Sequence, residues 1–127
     1  MADTFEDLGF AKLDMSRLER TGMPETVYCA GKNKEQLAEI FKAFQNQKCS
    51  VLGTRCSSEQ AEFVKTAGLN VEYDAVSKIV TYSVGKKVRL NGRIAVCCGG
   101  TADIPVAEEA ARTASFFGAM VERHFDV

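Results

Sequence analysis

The sequence predicts an α/β fold with a mainly parallel sheet and flanking helices, and three observations lead there. Segments rich in β-branched residues alternate with amphipathic ones long enough to serve as crossover helices, which parallel neighbours require. The chain has 127 residues, 46% hydrophobic and 26% charged, the balance of one ordinary globular domain or two very small ones and not of a disordered chain. Near residue 93 a continuous apolar run passes through two glycines into another apolar helix, the outline of a βαβ unit.

The N-terminal stretch MADTFEDLGFAKLD is acidic and has no apolar signal core. Residues 13–22 predict a short helix capped by Asp14 and ended by Gly22 ahead of Pro24. The segment 25–30 (ETVYCA) predicts a strand. Asn33 then predicts the cap of a long helix over 34–47, because Leu37, Ile40, Phe41 and Phe44 recur on one helical face. A short apolar strand follows at 50–56. Ser57-Ser58-Glu59 opens a second helix, with Ala61, Val64 and Lys65 on successive turns and Gly68 at its end.

Residues 71–84 (VEYDAVSKIVTYSV) predict one strand or two, with a break at 74–77. The polar stretch 85–92 is the expected boundary between an N-terminal α/β region, 1–86, and a second unit, 92–127. In that unit, 93–98 (RIAVCC) predicts a strand buried on both faces. The turn 99–105 leads into a helix over 106–117 that stops at Gly118, and 119–125 predicts the returning strand.

Sixteen Lys and Arg against seventeen Asp and Glu leave a net charge of −1, so no global field recruits nucleic acid or an anionic membrane surface. Any anion site must be local. No apolar run approaches the roughly twenty residues of a membrane span. Cys29, Cys49, Cys56, Cys97 and Cys98 show no CxxC spacing, and the sole histidine is His124, so no zinc site is expected. With no signal core ahead of them, the cysteines read as thiols in a reducing, cytoplasmic setting. His124, beside Arg123, reads as a surface or packing residue.

The turn beginning at Gly99-Gly100 carries the strongest chemical argument. Two glycines after a strand let backbone approach a ligand, and the helix that follows aims N–H groups and partial positive charge at the same place, as a phosphate requires. Thr101 adds a hydroxyl donor, and Asp103 is suited to capping the helix or accepting from ribose hydroxyls. The plainer reading is a tight βα turn with Asp103 as its cap, since GxGxxG is not met.

The stretch CGGTADIPVAEEAARTASFFGAMVERHFDV resembles the opening βαβ unit of the PurE (aminoimidazole ribonucleotide carboxylase) superfamily, whose loop reads approximately GSxSDxP. Over 9–127 the chain more closely resembles the LarB family of nickel-pincer cofactor biosynthesis. That resemblance rests on 10–14 (FAKLD), Arg17, Arg20, Gly22, Pro24-Glu25, Gly31-Lys32, Thr54-Arg55 and Glu59-Gln60, ahead of a PurE-like unit near Arg93. It implies a flavodoxin-like C-terminal unit and carboxylation of a pyridinium ring. Nicotinic acid adenine dinucleotide is the implied substrate, CO2 or bicarbonate the co-substrate, and a pyridinium biscarboxylic acid mononucleotide the product, with release of AMP.

By the same resemblance Gly99, Gly100, Thr101 and Asp103 hold the phosphate and ribose, while Ala102 departs from the serine usual in that loop. Arg17 and Arg55 are candidates for a second anion site, with Arg20 and Lys32 behind them. No tightly bound cofactor is implied beyond an optional Mg2+, and a homo-oligomer is implied for the full-length protein.

The family's cysteine nucleophile and its supporting carboxylate lie past the segment matching Val127, and nothing in this sequence matches them. Cys97 and Cys98 alternate on a strand, so at most one approaches the loop, and both read as buried, inert thiols. The expectation is the front portion of a carboxylase, inactive by itself. A PurE-type carboxylase or mutase and a noncatalytic assembly module are the alternatives.

Overall fold

The structure, a computed structural model, describes residues 5–9, 12–14, 24–85 and 89–127. Strands β1 (Phe5–Asp7) and β2 (Lys12–Asp14) pair antiparallel, Glu6 opposite Leu13. Leu13 and Asp14 therefore lie in a strand, which corrects the predicted helix start. The rest of that predicted helix, with Arg17, Arg20 and Gly22, lies outside the described residues.

A four-stranded sheet follows, built from β3 (Glu25–Tyr28), β4 (Val51–Thr54), β5 (Glu72–Asp74) and β6 (Ile79–Tyr82) in the order β3-β4-β6-β5. Helix α1 (Lys34–Asn46) joins β3 to β4, and those strands are parallel, with Val27 opposite Gly53. Helix α2 (Ser58–Thr66) leads from β4 to β5. The 71–84 segment breaks into two strands, as one of its readings allowed, and forms an antiparallel β5–β6 hairpin whose β6 pairs with β4. The parallel β3–β4 pair is thus joined by a helix, and the antiparallel β5–β6 pair by a short turn. In the turn, the Ser77 N–H and hydroxyl both donate to Asp74 Oδ2, at 2.9 and 2.7 Å.

Both helices start from reciprocal caps. Asn33 Oδ1 accepts from the Gln36 N–H while Gln36 Oε1 accepts from the Asn33 N–H, and Ser57 and Gln60 repeat the pattern. Gly68 follows α2 at φ +88, a left-handed residue suited to glycine. Leu37, Ile40, Phe41 and Phe44 of α1 and Ala61 and Val64 of α2 are buried against Val27, Val51 and Val80 on one sheet face. Lys65 is exposed, so its turn of α2 faces solvent.

The second unit contains β7 (Arg93–Cys97), α3 (Ile104–Phe116) and β8 (Met120–His124), with β7 and β8 parallel, Val96 opposite Arg123. Its helix starts two residues before the predicted 106, with Pro105 in the first turn where its missing N–H costs nothing. The α/β class with flanking helices is thus the observed one. Small buried Ala107 and Ala111 let α3 approach the other face of the four-stranded sheet at β4.

The expected two-sided burial of 93–98 is not observed. Arg93, Ala95 and Cys97, with Met120, Glu122 and His124, are exposed on one face of the β7–β8 pair. A single helix covers only one side of a two-stranded sheet, so an apolar run is not sufficient for burial.

Candidate glycine-loop site at the start of the third helix

The loop leaves β7 through Cys98, whose N–H donates to His124 O and whose carbonyl accepts from the Val127 N–H. Gly100 is extended (φ −173°), and a Cβ added there would meet nothing within 4 Å; at Gly99 it would reach only the Val127 carbonyl oxygen at 4.0 Å. The glycines therefore leave open space instead of relieving a clash. Thr101–Asp103 makes one 3-10 turn, with the Asp103 N–H donating to Gly100 O at 3.3 Å. The expected Asp103 cap is not formed: no side-chain hydrogen bond caps α3, because Asp103 has helical dihedrals (φ −94°, ψ −2°) in place of the extended ones a cap needs. Its carboxylate and the Thr101 hydroxyl are left exposed at the mouth of the loop.

The structure brings Arg55 to this helix. Arg55 follows β4 in a left-handed conformation (φ +54°), and its Nε lies 3.2 Å from Glu109 Oε2. A cleft of about 100 Å³ joins Arg55, Ser77 and Lys78 to Pro105, Val106 and Glu109 in the first turns of α3. Lys32 is not brought there; its Nζ donates to Tyr28 O at 2.7 Å. Gln60 Nε2 ties down the same turn through Cys29 O at 3.0 Å and Lys32 O at 2.8 Å.

Cys97 and Cys98 point to opposite sides, as alternation requires. Cys98 is the one turned to the loop, its Sγ donating to Gly100 O at 3.6 Å, and Cys97 is exposed, contrary to the expectation that both are buried. His124 is a surface residue, 3.6 Å from Glu122.

Sequence reasoning missed an ionic cluster beside this helix. Glu108 accepts from Arg112 at 2.9 Å and from Arg123 at 2.8 Å, and Arg112 also reaches Asp74 on β5 at 3.1 Å. The Glu108–Arg112 spacing of four was a legible signal; Arg123 and Asp74 join only through the fold. A second cleft, about 330 Å³, lies between the sheet and α3 and is lined by Glu72, Asp74, Thr81, Arg112 and Arg123 among others. Burial pushes the Asp74 carboxyl up, but the two Ser77 hydrogen bonds and the Arg112 and Arg123 charges outweigh it and hold the group below the usual Asp range. Hydrogen bonding to Glu108 raises Arg123.

Among the described residues no group of three or more His, Cys, Asp or Glu side chains is placed to hold a metal ion. No helix among them is long and apolar enough to cross a membrane.

The sequence model of the family described as LarB/PurE-like N-terminal domain matches residues 5–85. An uncharacterized protein of Methanocaldococcus jannaschii is 30% identical over 122 residues, covering 91% of this chain and 48% of the relative. The chain therefore spans about half the length of that curated relative.

Proposed function

The chain belongs to the LarB/PurE-like N-terminal domain family, and from that membership we propose that it supplies the N-terminal region and the nucleotide-phosphate cradle of a LarB-type carboxylase. The observation that carries this reading is the meeting of Arg55, from the matched region, with Pro105, Val106 and Glu109 in the first turns of α3, the helix that follows the Gly99–Gly100 loop. A fixed cation beside backbone N–H groups at a helix start is the arrangement an anionic phosphate prefers.

In this reading the substrate is nicotinic acid adenine dinucleotide, and CO2 or bicarbonate adds a carboxylate to its pyridinium ring. The phosphate of the nicotinate mononucleotide half lies against the backbone of Gly99, Gly100 and Thr101. The Thr101 hydroxyl donates to it, and the Asp103 carboxylate, free of capping, accepts from ribose. Because Ala102 brings no hydroxyl, binding leans on backbone N–H groups. Arg55 supplies the second anion contact, with Arg17 as its expected companion. Neither Cys97 nor Cys98 is assigned as nucleophile: one faces away from the loop and the other is engaged with Gly100. The chain alone therefore binds without turnover, and the full-length protein works as a cytoplasmic homo-oligomer.

Titration with nicotinic acid mononucleotide, read by amide chemical shifts, tests this. Expected are saturable shifts at Gly99, Gly100, Thr101 and Asp103, weakened in Arg55→Ala. Amides that stay still through millimolar ligand remove the cradle. Tighter binding of aminoimidazole ribonucleotide than of the nicotinate nucleotide moves the assignment to a purine-type carboxylase. Conversion of nicotinic acid adenine dinucleotide by the 127-residue chain overturns the noncatalytic part.

A further inference from the structure

The loop after β4 and the turn between β5 and β6 lie side by side, because β6 runs antiparallel to β4 with Val80 opposite Gly53. Past that ladder the Cys56 N–H donates to Lys78 O at 2.9 Å, which sets Arg55 and Lys78 at the same end of the sheet, beyond the carboxyl end of β4 where α/β sheets bind ligands. Both take left-handed backbone, φ +54° at Arg55 and +58° at Lys78. Among the described residues only Lys48 and Asp126 otherwise do so without being glycine. A long cationic side chain gains nothing from that conformation by itself, so the surroundings hold it there, and residues held in this way cluster at ligand sites.

Both side chains line the cleft of about 100 Å³ that faces Pro105, Val106 and Glu109 of α3. Its charges do not cancel. Glu109 takes the Nε of Arg55 at 3.2 Å, and Lys78 enters no ion pair among the described residues, so one positive charge is left over. The larger cleft has no such surplus, because Glu108 and Asp74 compensate Arg112 and Arg123 there. Helix α3 adds to the positive side, since no side chain caps its start. The space admits a phosphoryl group and not a whole nucleotide. Its rim is apolar, with Val76 and Val106 exposed by 50% and 61%.

We propose that Arg55 and Lys78 form a phosphoryl-binding site whose ligand is an organic phosphate with an apolar or aromatic group lying over Val76 and Val106. The Lys78 ammonium donates to the phosphoryl oxygens as a compact charge, and Arg55, held at Nε by Glu109, offers its terminal N–H groups. The site gives the second anion contact of the nucleotide-binding reading a companion cation, and rests on that reading for the role of Arg55.

Titration of the 127-residue chain with phenyl phosphate, read by amide chemical shifts, tests this. Expected are saturable shifts at Ser77, Lys78 and Val106, with inorganic phosphate at least about threefold weaker for want of an apolar part. Lys78→Met and Lys78→Gly are each expected to weaken binding about tenfold, while Lys78→Arg keeps it. Glycine also suits the left-handed backbone, so the urea midpoint of Lys78→Gly is expected not to fall, which separates lost binding from lost folding. Amides at Ser77, Lys78 and Val106 that stay still through millimolar phenyl phosphate overturn the proposal, as does parent-like affinity in Lys78→Met. Failure at the glycine loop reads differently: Gly99 to Asp103 stay unmoved by nicotinic acid mononucleotide while the cleft amides still answer to phenyl phosphate.

Discussion

Gly53 and Gly100 show why one residue type carries two meanings. At Gly53 a Cβ would stand 2.8 Å from both Cys29 Sγ and Val80 Cγ1, with the Phe41 ring at 3.3 Å, in a core with no slack. Gly53→Ala is expected to cost roughly 1–3 kcal/mol through overpacking, read by urea denaturation. At Gly100 the backbone is extended and the space is empty, so Gly100→Ala is expected to leave the urea midpoint within error while weakening nicotinate mononucleotide binding. A loss of stability in Gly100→Ala that matches Gly53→Ala would mean the loop glycines are there for packing. The difference between them is not legible in the sequence, because it depends on atoms from Cys29, β6 and α1 arriving over one and nothing arriving over the other.

Helices α1 and α2 were legible because their signals are local. Asn33 and Gln36 are three residues apart and satisfy each other's backbone donors whatever the rest of the chain does. Asn33→Ala is expected to destabilise the first unit by about 1 kcal/mol, seen as a lower thermal midpoint, with Asn33→Ser restoring most of it. Equal midpoints for Asn33→Ala and the parent would show that tertiary packing alone holds the start of α1. The strands were less legible. Asp74, Ser77 and the residues between them signalled a break, yet nothing local says that β6 and not β5 lies next to β4. The run RIAVCC misled, because hydrophobicity reports what a strand tolerates and burial depends on what covers it.

Across the whole molecule, α3 joins the two units, through Ala107 and Ala111 against the sheet and through ion pairs from Arg112 to Asp74 and from Arg55 to Glu109. The exposed pairs contribute little by themselves. Asp74 differs, because its carboxyl is held below the usual Asp range in the folded state. A carboxyl whose folded pKa is depressed adds stability that is fully present above its unfolded pKa, about 3.9 for Asp, and is lost as pH falls through the lower folded value. The stability gap between the parent and Asp74→Asn is therefore expected to be widest at neutral pH and to close in acid below that range. Urea titrations at neutral pH and across the acid range check this, and a gap that stays constant or widens in acid contradicts the assignment.

The sequence by itself determined the segments: the capped helices, the apolar face of Leu37, Ile40, Phe41 and Phe44, the glycine turn after residue 98, and the resemblance to one family. These rest on spacing within a few residues, where backbone geometry and side-chain chemistry act without help. Only the tertiary structure decided which of those segments meet. It placed Arg55 against Glu109 of α3 and Arg112 against Asp74. Such contacts join residues far apart in the chain, and their geometry is set by the packing of the intervening elements.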